Sequence, residues 1–108
     1  MNWVAKTAAD SGRPSVASLS FGGSNMASVN SAAASLVSSG VTTVVSANNG
    51  DRDASNYSPA SSPDAITVGA TTIDDAKASY SNFGSVLDIW APGASKIDTA
   101  VLPFELSL

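Results

Sequence analysis

The 108 residues contain neither cysteine nor histidine. The first absence excludes a disulfide, a thiol nucleophile and a zinc site of the Cys/His kind. The second removes imidazole, the commonest general base in acyl transfer. Charge is scarce too: 13% of residues are charged against 44% hydrophobic, and the net charge is −4. The basic residues Lys6, Arg13, Arg52, Lys77 and Lys96 are scattered rather than clustered. A nucleic-acid binder needs a basic face, so no nucleic-acid partner is expected. Disorder is not expected either, because a disordered segment is more charged and poorer in Val, Ile and Leu.

Between Pro14 and Gly50 there is no charged residue at all. Ser, Asn and Gly interrupt this stretch throughout, so it offers no run of about 20 apolar residues, and no membrane partner is expected. Met1 to Lys6 shows no basic leader followed by an apolar run, so no signal peptide is visible.

What is present is an alternation of short apolar strands and a helical period. Trp3, Val4, Ala5 and Ala8 lie at helical spacing, and Asp10-Ser11-Gly12 supplies a stop. This reads as the end of a helix whose beginning precedes the chain. Ser15 to Phe21 is small and apolar and is bounded by Gly22-Gly23, which predicts a strand buried on both faces. Ser28 to Ser39 predicts a helix with Val29, Ala32, Ala33, Leu36 and Val37 on one stripe and Gly40 just past its end. The β-branched run Val41 to Val45 predicts the next strand. Strand, helix and strand with short connections make a βαβ unit and a parallel sheet. Asn48 to Pro63 is a long polar loop, of a length that is usually functional. Ala65 to Ala70 and Ser85 to Trp90 predict two further strands, with Pro92-Gly93 turning the chain after the second. The fold class is α/β.

Several segments together resemble the proteinase K branch of the subtilisin-like serine proteases. They are Ala17-Ser18-Leu19-Ser20-Phe21-Gly22-Gly23, Val29-Asn30-Ser31-Ala32-Ala33-Ala34 and Asn56-Tyr57-Ser58-Pro59-Ala60-Ser61. Ile66-Thr67-Val68-Gly69-Ala70, Tyr80-Ser81-Asn82-Phe83-Gly84 and Leu87-Asp88-Ile89-Trp90-Ala91-Pro92-Gly93 complete the set. Each alone is weak; in this order and spacing they are jointly specific. The resemblance runs from about Trp3 to Thr99 and implies a partial subtilisin-type peptidase domain over 1–99. Residues 100–108 depart from the family as a divergent tail, of the kind a reading frame running into non-coding sequence would give.

The resemblance also implies roles. Ser20, Phe21 and Gly22 match the strand end that pairs with substrate backbone; the plainer alternative is a buried strand end before a helix. Ser46, Ala47 and Asn48 match the wall of the pocket for the substrate side chain, and Asn49 matches the asparagine that donates to the oxyanion. Asn48 stands where the family has glycine. Its left-handed tolerance is better than most, but its side chain would intrude on the pocket. The alternative is that Asn48-Asn49-Gly50-Asp51 only forms a turn. Asp88 with the carbonyls of Pro63 and Ala65 matches a structural calcium site, hard oxygens suiting that ion; otherwise Asp88 caps a turn or pairs with a neighbour. Asp51/Asp53 and Asp74-Asp75 read as solvated surface.

The family's chemistry needs a serine, a histidine and an aspartate. Histidine is absent, and so is the Gly-Thr-Ser-Met-Ala segment that carries the nucleophile. The expectation is therefore a serine endopeptidase segment, inactive by itself, with peptide or protein substrates and an extracellular setting implied by the family. Two alternatives are a non-catalytic peptide-binding relative and an anion-binding α/β module using Phe21-Gly22-Gly23-Ser24. The latter has neither Gly-x-Gly-x-x-Gly nor a Walker motif behind it.

Overall fold

In the computed structural model residues 1–94 are described; Lys96 and the divergent tail at 100–108 lie outside them. Helix α1 runs Asn2–Ser11 and ends on Gly12, whose left-handed backbone donates to Ala9 O. Helix α2 runs Ala27–Ser38 and is followed by Ser39 and Gly40. Strands β1 (Val16–Leu19), β3 (Thr42–Ser46), β5 (Ile66–Thr71) and β6 (Ile89–Pro92) form one sheet in the order β1-β3-β5-β6, each neighbour parallel. Short strands β2 (Gly23–Ser24) and β4 (Tyr57–Ser58) pair antiparallel beside it. The α/β class and the parallel sheet with helices against it are as the residue pattern predicts.

The stripe on α2 does what its period requires. Leu36 is 1% exposed and packs in a cluster with Ala17 of β1 and Val41, while Met1, Val4, Ala5 and Ala8 close the cluster from the first helix. A second cluster of Ala47, Ala54 and Ala60 sits beneath the long loop, with Tyr57, Val86 and Leu87 packed on it.

Three expectations are corrected. β1 is shorter than Ser15–Phe21 and is not buried on both faces: Ala17 is buried whereas Val16 is 70% exposed. Ala17 and Leu19 face the helices while Val16 and Ser18 face the open side of the sheet, so the residues of β1 alternate. The last strand begins at Ile89 rather than Ser85, because Gly84 turns the chain with a φ of 117° and Leu87 N donates back to Gly84 O. Any side chain at Gly84 would be strained by that φ, and a Cβ would also lie 2.8 Å from Asp53 Oδ1. Pro92 closes β6 instead of following it, which an edge strand tolerates since no ladder donor is lost on its open side. The loop from Asn48 is also less irregular than its composition suggests, holding a 3₁₀ turn at Ala54–Asn56 and the strand β4.

The packing makes a direct forecast. Leu36→Ala should lower stability by about 2–5 kcal/mol, since it removes the largest buried side chain of the cluster with Ala17 and Val41. Ser31→Ala on the exposed side of α2 should change it by less than about 0.5 kcal/mol. Urea denaturation of both variants checks this; a loss below about 1 kcal/mol at Leu36 would show that this cluster is not the core.

Candidate functional site

Parallel strands all finish at the same edge of their sheet, and ligands of open α/β sheets bind at that edge. Here the ends of β1, β3, β5 and β6 enclose a cleft of about 220 Å³. Its walls are Ser18–Ser20 on one side, Ser46, Asn48 and Asn49 on the other, Val68–Ala70 beneath, and Ala91–Gly93 beyond. No residue lining it is charged. The cleft can therefore hold a ligand by hydrogen bonds and apolar contact, but it carries no acid or base for proton transfer.

The register Leu19↔Val45 sets β1 beside β3 and so brings Ser20, Phe21 and Gly22 opposite Ser46, Ala47 and Asn48. Ser20, Phe21 and Gly22 are exposed, and among the described residues they pair with no strand. Ala47 is buried at 1% exposure, and its N–H donates to Val68 O at 2.9 Å, which ties the exit of β3 to β5.

Asn48 takes a left-handed backbone, φ 75°, and its N–H donates to Ser46 Oγ at 3.0 Å. Its carboxamide lies across Gly22: a Cβ on Gly22 would collide with Oδ1, Nδ2 and Cγ of Asn48. Glycine at position 22 is what lets the two walls meet. The Asn48 side chain thus occupies the space between the walls, and its Nδ2 is buried without a partner. Asn49 is exposed at the mouth of the cleft, and its carboxamide has no hydrogen-bond partner among the described residues.

Pro63 and Ala65 stand in the turn leading into β5, and Asp88 stands just before β6. Asp88 Oδ2 accepts from Thr67 N at 2.7 Å, and Asp88 N donates to Thr67 O at 2.9 Å. The carboxylate thus pairs with a neighbour, Thr67, which follows Ala65 by two residues, and Asp88 is exposed. Among the described residues no three acidic, His or Cys side chains gather in one place. Asp51 and Asp53 are exposed, as expected; Asp51 pairs with Lys77 at 2.8 Å, and Asp53 accepts from Ser55 N at 2.9 Å to cap the 3₁₀ turn.

Reading the residues alone missed Asn82. It is fully buried, and its Oδ1 accepts from Gly50 N at 2.9 Å and Arg52 N at 3.0 Å. The available signal was an amide beside the turn-prone Gly84, far along the chain from the loop it holds.

Comparison with known proteins shows the family and agrees with the fold. Residues 1–105 match the Subtilase family. The "Cuticle-degrading protease" of Metarhizium anisopliae is 48% identical over 94% of this chain and 27% of its own length. "Proteinase R" of Parengyodontium album is 56% identical over 78% of this chain and 22% of its own length. A crystal structure of "a cold adapted subtilisin-like serine proteinase" superposes with a TM-score of 0.81 at 43% identity, covering 85% of this chain and 33% of that one. The chain thus spans about a quarter of the length of the curated relatives it matches. No helix among the described residues is long and apolar enough to cross a membrane.

The cap on the 3₁₀ turn makes the loop acid-sensitive. Hydrogen bonds from the backbone N–H and the side chain of Ser55 hold the Asp53 carboxyl below the usual carboxylate range. A depressed folded value means the stabilisation is present above the unfolded pKa and is lost as pH falls through the folded one. Urea midpoints of the wild type should therefore fall below about pH 4, and Asp53→Ala should make that fall shallower. An identical acid profile in the variant would remove Asp53 from the account.

Proposed function

The chain belongs to the proteinase K branch of the subtilase family, and we propose that its residues supply the substrate cleft and the oxyanion donor of a serine endopeptidase. One observation carries the reading. The Asn49 carboxamide, exposed and without a partner among the described residues, stands at the mouth of an uncharged cleft that Ser18, Leu19 and Ser20 also line, and the chain beyond them, Phe21 and Gly22, is exposed and pairs with no described strand.

A peptide lying along that segment would add to it as a strand, exchanging backbone hydrogen bonds. Ser46, Ala47 and Asn48 would flank the side chain before the scissile bond. Its carbonyl oxygen would then approach Asn49, whose N–H groups donate to the charge that develops as the carbon becomes tetrahedral. A preorganised neutral donor suits this task, since it stabilises the transition state more than the ground state.

The hydroxyl that attacks and the imidazole that takes its proton are another matter. No histidine exists in these 108 residues, so the triad of a working protease would be completed from outside them. Alone, the 108 residues would grip a peptide but not cut it. Protein or peptide substrates and an extracellular setting go with the family, in keeping with a relative named for degrading cuticle.

A structural calcium also fits. Asp88 offers an exposed carboxylate already fastened to Thr67, and Pro63 and Ala65 offer carbonyls just ahead of that residue. An ion held there would tie the entry of β5 to that of β6 with hard oxygen ligands. Calcium should then raise the melting temperature of the wild type but not of Asp88→Asn, which keeps an acceptor for Thr67 N; an equal rise in both would remove the site.

Two measurements test the enzymatic reading. A fluorophosphonate probe should leave the purified 108-residue chain unlabelled, and stoichiometric labelling would disprove its inactivity. In a complete protease carrying these residues, Asn49→Ala should lower kcat by about 100- to 1,000-fold, a magnitude established on subtilisin itself. Unchanged kcat would end the oxyanion assignment. Peptide titration against the 108 residues shows whether the cleft binds without catalysis.

A further inference from the structure

We propose that Asn82 is a positioning residue that sets Asn49 in place; the proposal rests on the oxyanion reading above. Its hydrogen bonds fall on both sides of Asn49. Asn82 N donates to Asn48 O at 2.9 Å, and Asn82 Oδ1 accepts from Gly50 N at 2.9 Å and from Arg52 N at 3.0 Å. Asn49 lies between the bonded residues and is left with its own side chain free at the cleft. The turn from Asn48 to Arg52 is thereby held from within by one residue, through its backbone N–H at Asn48 and its side-chain oxygen at Gly50 and Arg52.

The clamp is itself anchored. Ser81 Oγ accepts from Ala70 N and donates to Asn82 O, each at 2.9 Å, so the residue is fastened to strand β5. The segment Tyr80–Phe83 also runs along the loop, with Asp51 N on Tyr80 O at 2.9 Å and Phe83 N on Arg52 O at 3.1 Å. Position across the cleft mouth is thus transmitted from the sheet to Asn49 through Ser81 and Asn82.

The chemistry of the side chain points the same way. Asn82 is fully buried, yet its Nδ2 has no partner. A buried unpaired donor is costly, so the oxygen, which takes two backbone N–H groups, is the atom this position needs. Asp in its place keeps an acceptor at that point, whereas Ala removes it.

The test is a double-mutant cycle in a complete subtilase carrying residues 1–94 in place of its own counterpart. Asn82→Ala should lower kcat by about 100-fold, the scale of misplacing a catalytic group by about an ångström, with KM essentially unchanged. Asn82→Asp should recover most of the loss. In an Asn49→Ala background, Asn82→Ala should cost nothing further in kcat, because both act through one group. Equal losses with and without Asn49, or a loss confined to KM, would overturn the proposal. An Asn49→Ala variant as active as its parent would instead sink the oxyanion reading, which keeps the two failures apart. Amide exchange of the 108-residue chain gives a second measurement should Asn82→Ala not fold. Asn82→Asp must keep the Gly50 and Arg52 amides protected and Asn82→Ser must release them; unchanged exchange in Asn82→Ser refutes the clamp.

Discussion

Everything at the cleft depends on the parallel pairing of β1 with β3 and of β3 with β5. Because the strands run the same way, the segments that leave them emerge along one edge. The register then decides which residues face one another: Leu19 opposite Val45 puts Ser20–Gly22 across from Ser46–Asn48, and Ser46 opposite Val68 seats the turn on β5. A slip of one residue would shift one wall by about 3.3 Å and invert every side chain of the strand. Val45, 1% exposed, would be driven outward by such a slip, and Ser46 would be driven in. Core packing therefore holds the cleft in register, and Val45 belongs to both the core and the cleft lining.

Legibility in the sequence follows the range of the forces involved. The helix Ala27–Ser38, the strands β3 and β5 and the stop at Gly12 are set by local periodicity and backbone preference, and they fall within a residue or two of where the pattern puts them. β6 is displaced because its start is dictated by Gly84 packing against Asp53, a contact between residues 31 positions apart (84 − 53). The long loop reads as polar and irregular, but its order comes from Asn82 and from the pairing of β2 with β4, both distant in the chain. The role proposed for Asn49 rests on family resemblance, since nothing in its sequence neighbours distinguishes an exposed donor from a turn residue.

The distribution of charge separates two kinds of work. The ion pair Lys77–Asp51 and the cap Asp53 lie on the outer side of the loop, exposed, where a pair of this kind adds at most about 1 kcal/mol. The cleft itself is lined by hydroxyls, amides, backbone and small apolar groups. Groups of that sort orient and polarise a carbonyl without exchanging protons with it, so their contribution does not vary with pH. Proton transfer belongs to residues of another kind.

The pairing of Asn48 with Gly22 shows how a side chain is accommodated at a tight turn. Asn48 takes the left-handed backbone that glycine adopts most readily, φ 75°. Its carboxamide needs room, and it finds room only because position 22 has no Cβ. The two positions are therefore coupled across the cleft. Replacing Gly22 would force the amide back against its own turn, while the bonds from Asn82 to Asn48 O and Gly50 N oppose any shift of the backbone there. Strain introduced at the wall is thus kept from Asn49, because the residues on either side of it are fixed from the interior rather than from the surface.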